Sequence, residues 1–273
     1  MVNSKIFWVL ILFLGSTVCA FAQAEQYKFS HVDVNDGLSD NQIKSFLKDS
    51  RGFMWFGTVS GLNRYDGYSI KVYRNTPGDP KSISNSDINH LFEGPEGRIW
   101  TTSWTGSDIY DPATETFTNN PNAYLRKLLI PDGAIADIKK DTKGNFWFIH
   151  TTQGLFKYNS QEKKTTPFYY NPLDSTSLAS NQISSIYPDQ SGNIWIIHKN
   201  GVFEKLDAHT LTVTYRNYQL NKMFNQRAFD YRVMVDSDAD VWLYLFDSNE
   251  GVFHFDSEKK ILTQIRRGSK PVS

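Results

Sequence analysis

The stretch Asp49–Asp66, DSRGFMWFGTVSGLNRYD, decides the fold because its pattern returns four more times along the chain. Aligned on tryptophan, the five copies are centred on Trp55, Trp100, Trp147, Trp195 and Trp242. Successive tryptophans are 45, 47, 48 and 47 residues apart. A period of this length and regularity indicates one supersecondary unit copied five times.

The conserved spacing within each copy has a physical reason. An aspartate stands six residues before the tryptophan in four copies, with Gly94 in the second, and a glycine stands three before it in four, with Ala239 in the last. Asp-x-x-Gly between short strands predicts a hairpin turn, because the carboxylate accepts turn amides and glycine adopts positive φ. The run that follows, such as Phe53–Gly57, is rich in strand-forming residues. We expect the tryptophans to be core residues between neighbouring sheets.

Four antiparallel strands in about 45 residues are typical of a β-propeller blade. The sequence therefore predicts an all-β fold, a β-propeller with five blades present in the region 23–273. We place the blades at about 39–74, 84–118, 131–169, 179–217 and 226–266.

The N-terminus has a different composition. Lys5 precedes an apolar run over residues 6–14, and small residues follow at Ala20, Ala22 and Ala24. This pattern predicts a signal peptide over residues 1–22, cleaved after Ala22 or alternatively after Ala24, because a membrane-spanning helix needs about 20 apolar residues. Cleavage removes Cys19, the only cysteine. We therefore expect an exported, periplasmic protein without disulfides.

The overall charge is balanced, with 29 basic and 29 acidic residues. Such a balance gives no electrostatic reason to expect binding to nucleic acid or to an anionic membrane surface.

The repeat resembles a known family. Asp36-Gly37-Leu38-Ser39, then Asp49-x-x-Gly52-x-x-Trp55-x-Gly57-Thr58 and Tyr65-Asp66-Gly67 are similar to the two-component regulator propeller repeat. The resemblance spans residues 27 to about 266. It implies the periplasmic sensor region of a Bacteroidetes hybrid two-component histidine kinase, which senses oligosaccharides. The phospho-accepting histidine, the ATP-binding glycine motifs and the membrane helix of such kinases have no counterpart here.

A propeller removes its sheet edges by closing its ring. Residues 27–34 suit a ring-closing strand, yet the last copy already has its own fourth strand at residues 260–266. We therefore expect an N-terminal part of a larger, seven-bladed propeller, and a closed five-bladed ring remains the alternative.

Strand direction places the second-to-third loops and the inter-blade connections on one face, where a ligand is expected. Trp104 could stack on a sugar ring or pack under its own loop. His150 and His198 could bind a ligand, bind loop backbone or serve the structure, and a third metal ligand at a recognisable spacing is missing. We predict no metal or cofactor. The candidate ligand contacts are Trp104, Thr105, His150, Gln153, His198, Lys199, Asn200, Asp247 and Asn249.

Three functions are compatible with these features. The first is a sensory propeller that binds an oligosaccharide and signals to a kinase outside this chain, with no catalytic residue of its own. Its other partners would be further blades, a second propeller or a homodimer partner, and it would reach the membrane only through segments outside this chain. The second is a secreted lyase or glycosidase, although a glycosidase needs two convergent carboxylates and most aspartates here have turn positions. The third is a scaffold for protein partners.

Overall fold

The computed structural model describes residues 31–246 and 248–266. The predicted signal peptide, Cys19 and residues 27–30 of the predicted closing strand lie outside the described residues, as does Asp247. The chain divides into two units, Met1–Asp33 and Val34–Ser273, and the propeller belongs to the second. Within the described residues, no helix has the length and apolarity needed to cross a membrane.

In the described residues, twenty strands form five four-stranded antiparallel sheets, each a simple meander. Blades 1 and 2 contain β1 Ile43–Lys48, β2 Met54–Thr58, β3 Gly61–Tyr65, β4 Ile70–Tyr73, β5 His90–Glu93, β6 Ile99–Ser103, β7 Gly106–Asp111 and β8 Thr116–Thr118. Blades 3 and 4 contain β9 Ile135–Lys140, β10 Phe146–His150, β11 Gly154–Asn159, β12 Lys164–Phe168, β13 Ile183–Pro188, β14 Asn193–His198, β15 Phe203–Asp207 and β16 Thr212–Asn217. Blade 5 contains β17 Tyr231–Val235, β18 Val241–Leu245, β19 Val252–Asp256 and β20 Ile261–Ile265. The predicted all-β fold with five blades is confirmed.

Two of the inter-blade connections are not simple loops. The connection before blade 3 contains helix α1, Asn122–Lys127, and the one before blade 5 contains helix α2, Gln219–Met223. Each helix buries one leucine completely, Leu125 and Leu220. Single short helical turns have no strong sequence pattern, and burial of these leucines stabilises them. In the N-terminal part, residues 31–33 are irregular and a 3-10 helix covers Val34–Asp36, so the described part of the predicted closing strand is not a strand.

The hairpin turns explain the spacing of aspartate and tryptophan. In blade 1, Asp49 Oδ1 accepts the amides of Arg51 and Phe53 at 3.0 and 2.9 Å, and Gly52 adopts φ of +93°. Asp49 Oδ2 accepts the indole N–H of Trp55 at 2.8 Å. The same aspartate–indole bond measures 2.9 Å in blade 3 and 2.7 Å in blade 5. The aspartate thus fixes both the turn and the orientation of the core tryptophan.

Blade 2 has Gly94 in place of this aspartate. A Cβ atom at Gly94 would lie 2.8 Å from Trp100 Nε1, so the indole fills the space of the missing side chain. Trp100 Nε1 is buried without a hydrogen-bond partner among the described atoms. The second copy therefore has the tryptophan without the aspartate that accepts the indole N–H in blades 1, 3 and 5.

The first four tryptophans pack between successive blades, as predicted. Trp55 meets Tyr110 of blade 2 at a ring-centroid distance of 5.1 Å, and Trp195 meets Phe255 of blade 5 at 6.4 Å. The first four tryptophans are at most 3% exposed. Large edge-to-face aromatic pairs of this kind supply much of the apolar burial between neighbouring blades.

The two outer faces of the five-blade array are open in the described part of the chain. On blade 5, Trp242 is only partly buried, and Met234 and Tyr244 are 47% and 39% exposed. On blade 1, Phe46 is 73% exposed. These are the faces that would contact additional blades, and the predicted seven-bladed ring remains a prediction.

Candidate functional site

The loop face is the candidate ligand-binding surface. Each blade contributes its second-to-third loop, and the inter-blade connections end on the same face, because every sheet is a four-stranded meander. Between α1, the β10–β11 loop and the connection from β12 to β13 lies an open cavity of about 490 Å³. It brings residues from three segments together on this face, as the strand directions predicted.

Trp104 and Thr105 form the turn between β6 and β7. Trp104 is 76% exposed, so its ring does not pack under its own loop. Thr105 Oγ1 lies 2.9 Å from Ser103 Oγ within the turn. The indole is accessible to a ligand, and its predicted contact with a sugar stays a prediction.

The structure assigns His150 a structural position. Its ring is 2% exposed, with Nε2 3.2 Å from the carbonyl oxygen of Asp132. Nδ1 accepts the amides of Thr152 and Gln153, both at 3.3 Å. His150 therefore joins the β10–β11 loop to the preceding connection, and its burial argues against direct ligand contact.

His198 also has a structural position, which is one of the alternatives that the sequence left open. It is completely buried, and its Nε2 lies 2.7 Å from Glu204 Oε1. Arg216 Nε donates to the other oxygen of Glu204 at 2.7 Å. Burial alone would raise the pKa of Glu204, but the hydrogen bonds from His198 and Arg216 and the positive charge of Arg216 outweigh it and lower that pKa. A ligand on the loop face cannot reach this closed cluster without moving the fold.

The remaining candidates lie apart in the loops. Lys199 and Gln153 are exposed, and Asn249 is exposed in the β18–β19 loop. Asn200 is partly buried and its side chain accepts the amide of Val202 at 3.1 Å, so it shapes its own turn. Asp247 lies outside the described residues.

Sequence inspection missed a repeated hydrogen bond at one register on the third strand. Asn63, Asp108 and Glu204 are all buried and oppose the residue that follows the blade tryptophan. Their side-chain oxygens accept the amides of Ser39, Ser84 and Ala179, at 2.8, 3.1 and 3.1 Å. We call these three side chains the connection anchors, because each fixes the segment that enters its blade. An acid or amide eight or nine residues after the tryptophan in blades 1, 2 and 4 was the available signal.

A central channel is a second concave feature that the sequence did not predict. The first strands of the blades lie side by side around it, and its cavity measures about 600 Å³. His90, Asp137 and Arg232 face it from three different blades, with Ser45 from a fourth. Burial and the charge of Arg232 lower the pKa of His90. Mixed polar groups line the channel and do not form a recognisable catalytic set.

A possible metal-ligand group lies at the hairpin turn of blade 5. Asp236, Asp240 and His254 bring one ligand atom each within 4.8 Å of the others. Asp240 Oδ2 contacts His254 Nε2 at 2.9 Å, and Asp236 Oδ2 accepts the indole of Trp242. These atoms already stabilise the turn and the third strand, so the group is explained without an ion.

Comparisons with known proteins agree with this architecture. Residues 37–60 and 177–200 match the family model described as two component regulator propeller. A 75-residue segment, 28% of this chain, is 39% identical to Histidine kinase P4 of Formosa agariphila and covers 6% of that protein.

Solved structures share the fold. One is the extracellular domain of a hybrid two-component system from B. thetaiotaomicron, with a TM-score of 0.59, 22% identity, and coverage of 86% of this chain and 31% of that one. Another is virginiamycin B lyase from Staphylococcus aureus, with a TM-score of 0.53, 15% identity, and coverage of 86% and 73%. At these identities the similarity establishes the fold alone. The matches identify the chain as a β-propeller that contains two-component regulator propeller repeats, as its sequence predicted.

Proposed function

We propose that this chain is the ligand-sensing propeller of a hybrid two-component signalling system and passes its signal to a histidine kinase. One observation carries the proposal: a 75-residue segment is 39% identical to a histidine kinase. The match of two blades to the two-component regulator propeller supports it. Because the chain spans 6% of that kinase, the signalling partner is inferred rather than observed.

The proposed location is the periplasm. The charged, apolar and small-residue pattern of residues 1–22 supports export by a cleavable signal peptide. The name of the similar B. thetaiotaomicron structure also describes an extracellular domain. A sensor on that side of the membrane would meet its ligand outside the cytoplasm.

The proposed ligand is an oligosaccharide, bound on the loop face without chemical conversion. Support comes from the exposed ring of Trp104 and from exposed hydrogen-bonding groups such as Gln153 and Asn249. Sugar recognition combines aromatic surfaces with a small number of placed polar groups. These groups occur on a face whose loops differ among the five blades, which suits ligand specificity.

Isothermal titration calorimetry of the exported chain against plant and host oligosaccharides tests the proposal. Each mixture is also analysed for cleavage products by chromatography. Saturable binding with unchanged sugar supports a sensor. Product formation would identify a propeller enzyme instead, and neither binding nor product would leave a protein-interaction scaffold.

A further inference from the structure

Blade 3 lacks the connection anchor found in blades 1, 2 and 4. The corresponding residue is Phe156, which opposes Phe148 in the same way that Glu204 opposes Ile196. A phenyl ring cannot accept the amide of an incoming segment, so the connection before blade 3 needs a different attachment.

His150 supplies that attachment through the carbonyl of Asp132. Gly133 packs so tightly there that a Cβ atom would lie 2.5 Å from His150 Nε2. Upstream, Leu129 adopts a left-handed φ of +58°, and its side chain is 70% exposed. A leucine in this conformation is strained, and strain of this kind concentrates at binding sites.

Blade 5 also has an aromatic residue at the position that the connection anchors occupy in other blades. Its equivalent residue is Phe253, which opposes Leu243. Phe224, from the connection that enters the blade, meets Phe253 edge to face at 5.9 Å. Phe253 is completely buried as a result. In blade 3, Phe156 is 5% exposed and contacts the ring of His150, at a centroid distance of 6.0 Å, and the 490 Å³ cavity adjoins it.

The cavity is uncharged and has one aromatic wall. It is lined by Leu129, Pro131, Thr152, Gln153, Phe156, Pro167, Tyr169 and Asn181. Tyr169 is 56% exposed and Gln153 is exposed. The volume falls in the range of about 300–1,000 Å³ that is common for small-molecule sites.

The wall that carries Tyr169 is fixed by tight packing. Gly154 has φ of +89°, and a Cβ atom there would lie 2.5 Å from the carbonyl oxygen of Phe168. Asn181 Oδ1 accepts the amide of Tyr170 at 2.7 Å. These contacts hold the backbone of Tyr169 before any ligand arrives, which lowers the entropic cost of binding.

We infer that this cavity, the blade-3 pocket, binds one neutral sugar unit of an oligosaccharide, whose C–H face packs on Tyr169 while its hydroxyls meet Gln153 and Thr152. The absence of charged side chains among the lining residues favours an uncharged sugar over an acidic one. An apolar wall with an amide and hydroxyl rim matches a pyranose, which has an apolar face and a polar edge. The inference rests on the proposed sensing of an oligosaccharide and identifies the blade-3 pocket as the site that binds it.

The test uses Tyr169→Ala, with Tyr170→Ala as its matched control. Tyr170 is the adjacent tyrosine, 48% exposed, and does not line the pocket. Both variants and the natural protein are titrated by calorimetry with cellohexaose, laminarihexaose, xylohexaose and maltohexaose. We expect Tyr169→Ala to weaken binding of the recognised sugar by about tenfold, the size of effect seen when a buried aromatic contact is lost. Tyr170→Ala should change it less than about twofold, because surface contacts outside the site contribute little.

Gln153→Ala gives a second measurement in case Tyr169→Ala unfolds, and urea denaturation checks each variant. If the natural protein binds a sugar and both Tyr169→Ala and Gln153→Ala bind it equally well, the blade-3 pocket is overturned. The proposed sensor function would then stand. Equal losses in Tyr169→Ala and Tyr170→Ala would overturn the blade-3 pocket as well. Failure of the natural protein to bind any of the four neutral sugars would overturn the blade-3 pocket, and failure to bind the wider panel of plant and host oligosaccharides as well would overturn the sensor.

Discussion

Replacement of Glu204 by alanine is expected to destabilise the propeller by about 3–5 kcal/mol, because it removes the carboxylate partner of the partly buried Arg216 and an acceptor of the buried His198. Glu204 accepts hydrogen bonds from His198 and Arg216, each at 2.7 Å, and from the amide of Ala179 at 3.1 Å. The Arg216 side chain is only 21% exposed. Because the free energy of unfolding of a folded domain is about 5–15 kcal/mol, this loss is a large part of it.

Urea denaturation followed by tryptophan fluorescence measures this change. Glu115→Ala is the matched control, since Glu115 also contacts two cations, Lys71 and Arg64. Those cations lower the pKa of Glu115 to about 2, but its side chain is 42% exposed and water screens the pair. The control should leave the unfolding midpoint nearly unchanged. A loss below about 1 kcal/mol for Glu204→Ala would refute the claim that this cluster holds the entry into blade 4.

Glu204 also makes the stability of the propeller depend on pH. The pKa of Glu204 is lower in the folded protein than in the unfolded chain, where it is about 4.3. Glu204 therefore contributes fully to the free energy of unfolding above that unfolded pKa, and the contribution is lost as pH falls through the folded pKa. The unfolding midpoint should therefore decrease on acidification from about pH 5 to about pH 3. Glu204→Gln, which keeps the shape and cannot titrate, should decrease less steeply. Parallel curves for the two proteins would contradict the assignment.

Three further changes test the turn, the pocket wall and the loop face by urea denaturation. Asp49→Ala removes the acceptor of the buried indole N–H of Trp55 and should lower the free energy of unfolding by about 2–4 kcal/mol. A loss under about 0.5 kcal/mol would show that the turn holds without this carboxylate. Gly154→Ala places a Cβ against the carbonyl of Phe168 and should cost about 1–3 kcal/mol, and an unchanged midpoint would contradict the tight wall. Trp104→Ala should change stability by less than about 0.5 kcal/mol because the ring is 76% exposed, and a larger loss would indicate a packing role.

Much of the fold could be predicted from local chemistry. The six-residue spacing between Asp49 and Trp55 is a hairpin turn plus the start of a strand, so both ends lie close together in any fold that forms the turn. Repetition of that spacing then predicts identical sheets, whose apolar faces must pack on each other. The loop face followed from strand direction alone, whereas the exposure of Trp104 did not, since the sequence also allowed its ring to pack under its own loop.

The candidate site was less predictable. His150 and His198 occupy the same position in their repeats, and the sequence left ligand binding, contact with loop backbone and a structural role open for both. In the structure, His150 bonds Asp132, 18 residues earlier in the chain, and His198 bonds Glu204 on the neighbouring strand. Residues 18 positions apart or on another strand leave no local pattern, so only the folded chain reveals the partner.

The repeat, the five blades and the core position of the tryptophans could be predicted from the sequence, because turns and strand periodicity depend on neighbouring residues. Which concave surfaces remain open depends on contacts between residues far apart in the chain. Phe156 and Phe253 occupy equivalent positions, yet Phe224 covers the second and a cavity adjoins the first. The difference arises from how two connections of unrelated sequence fold onto their blades, and such long-range packing is absent from the repeat pattern.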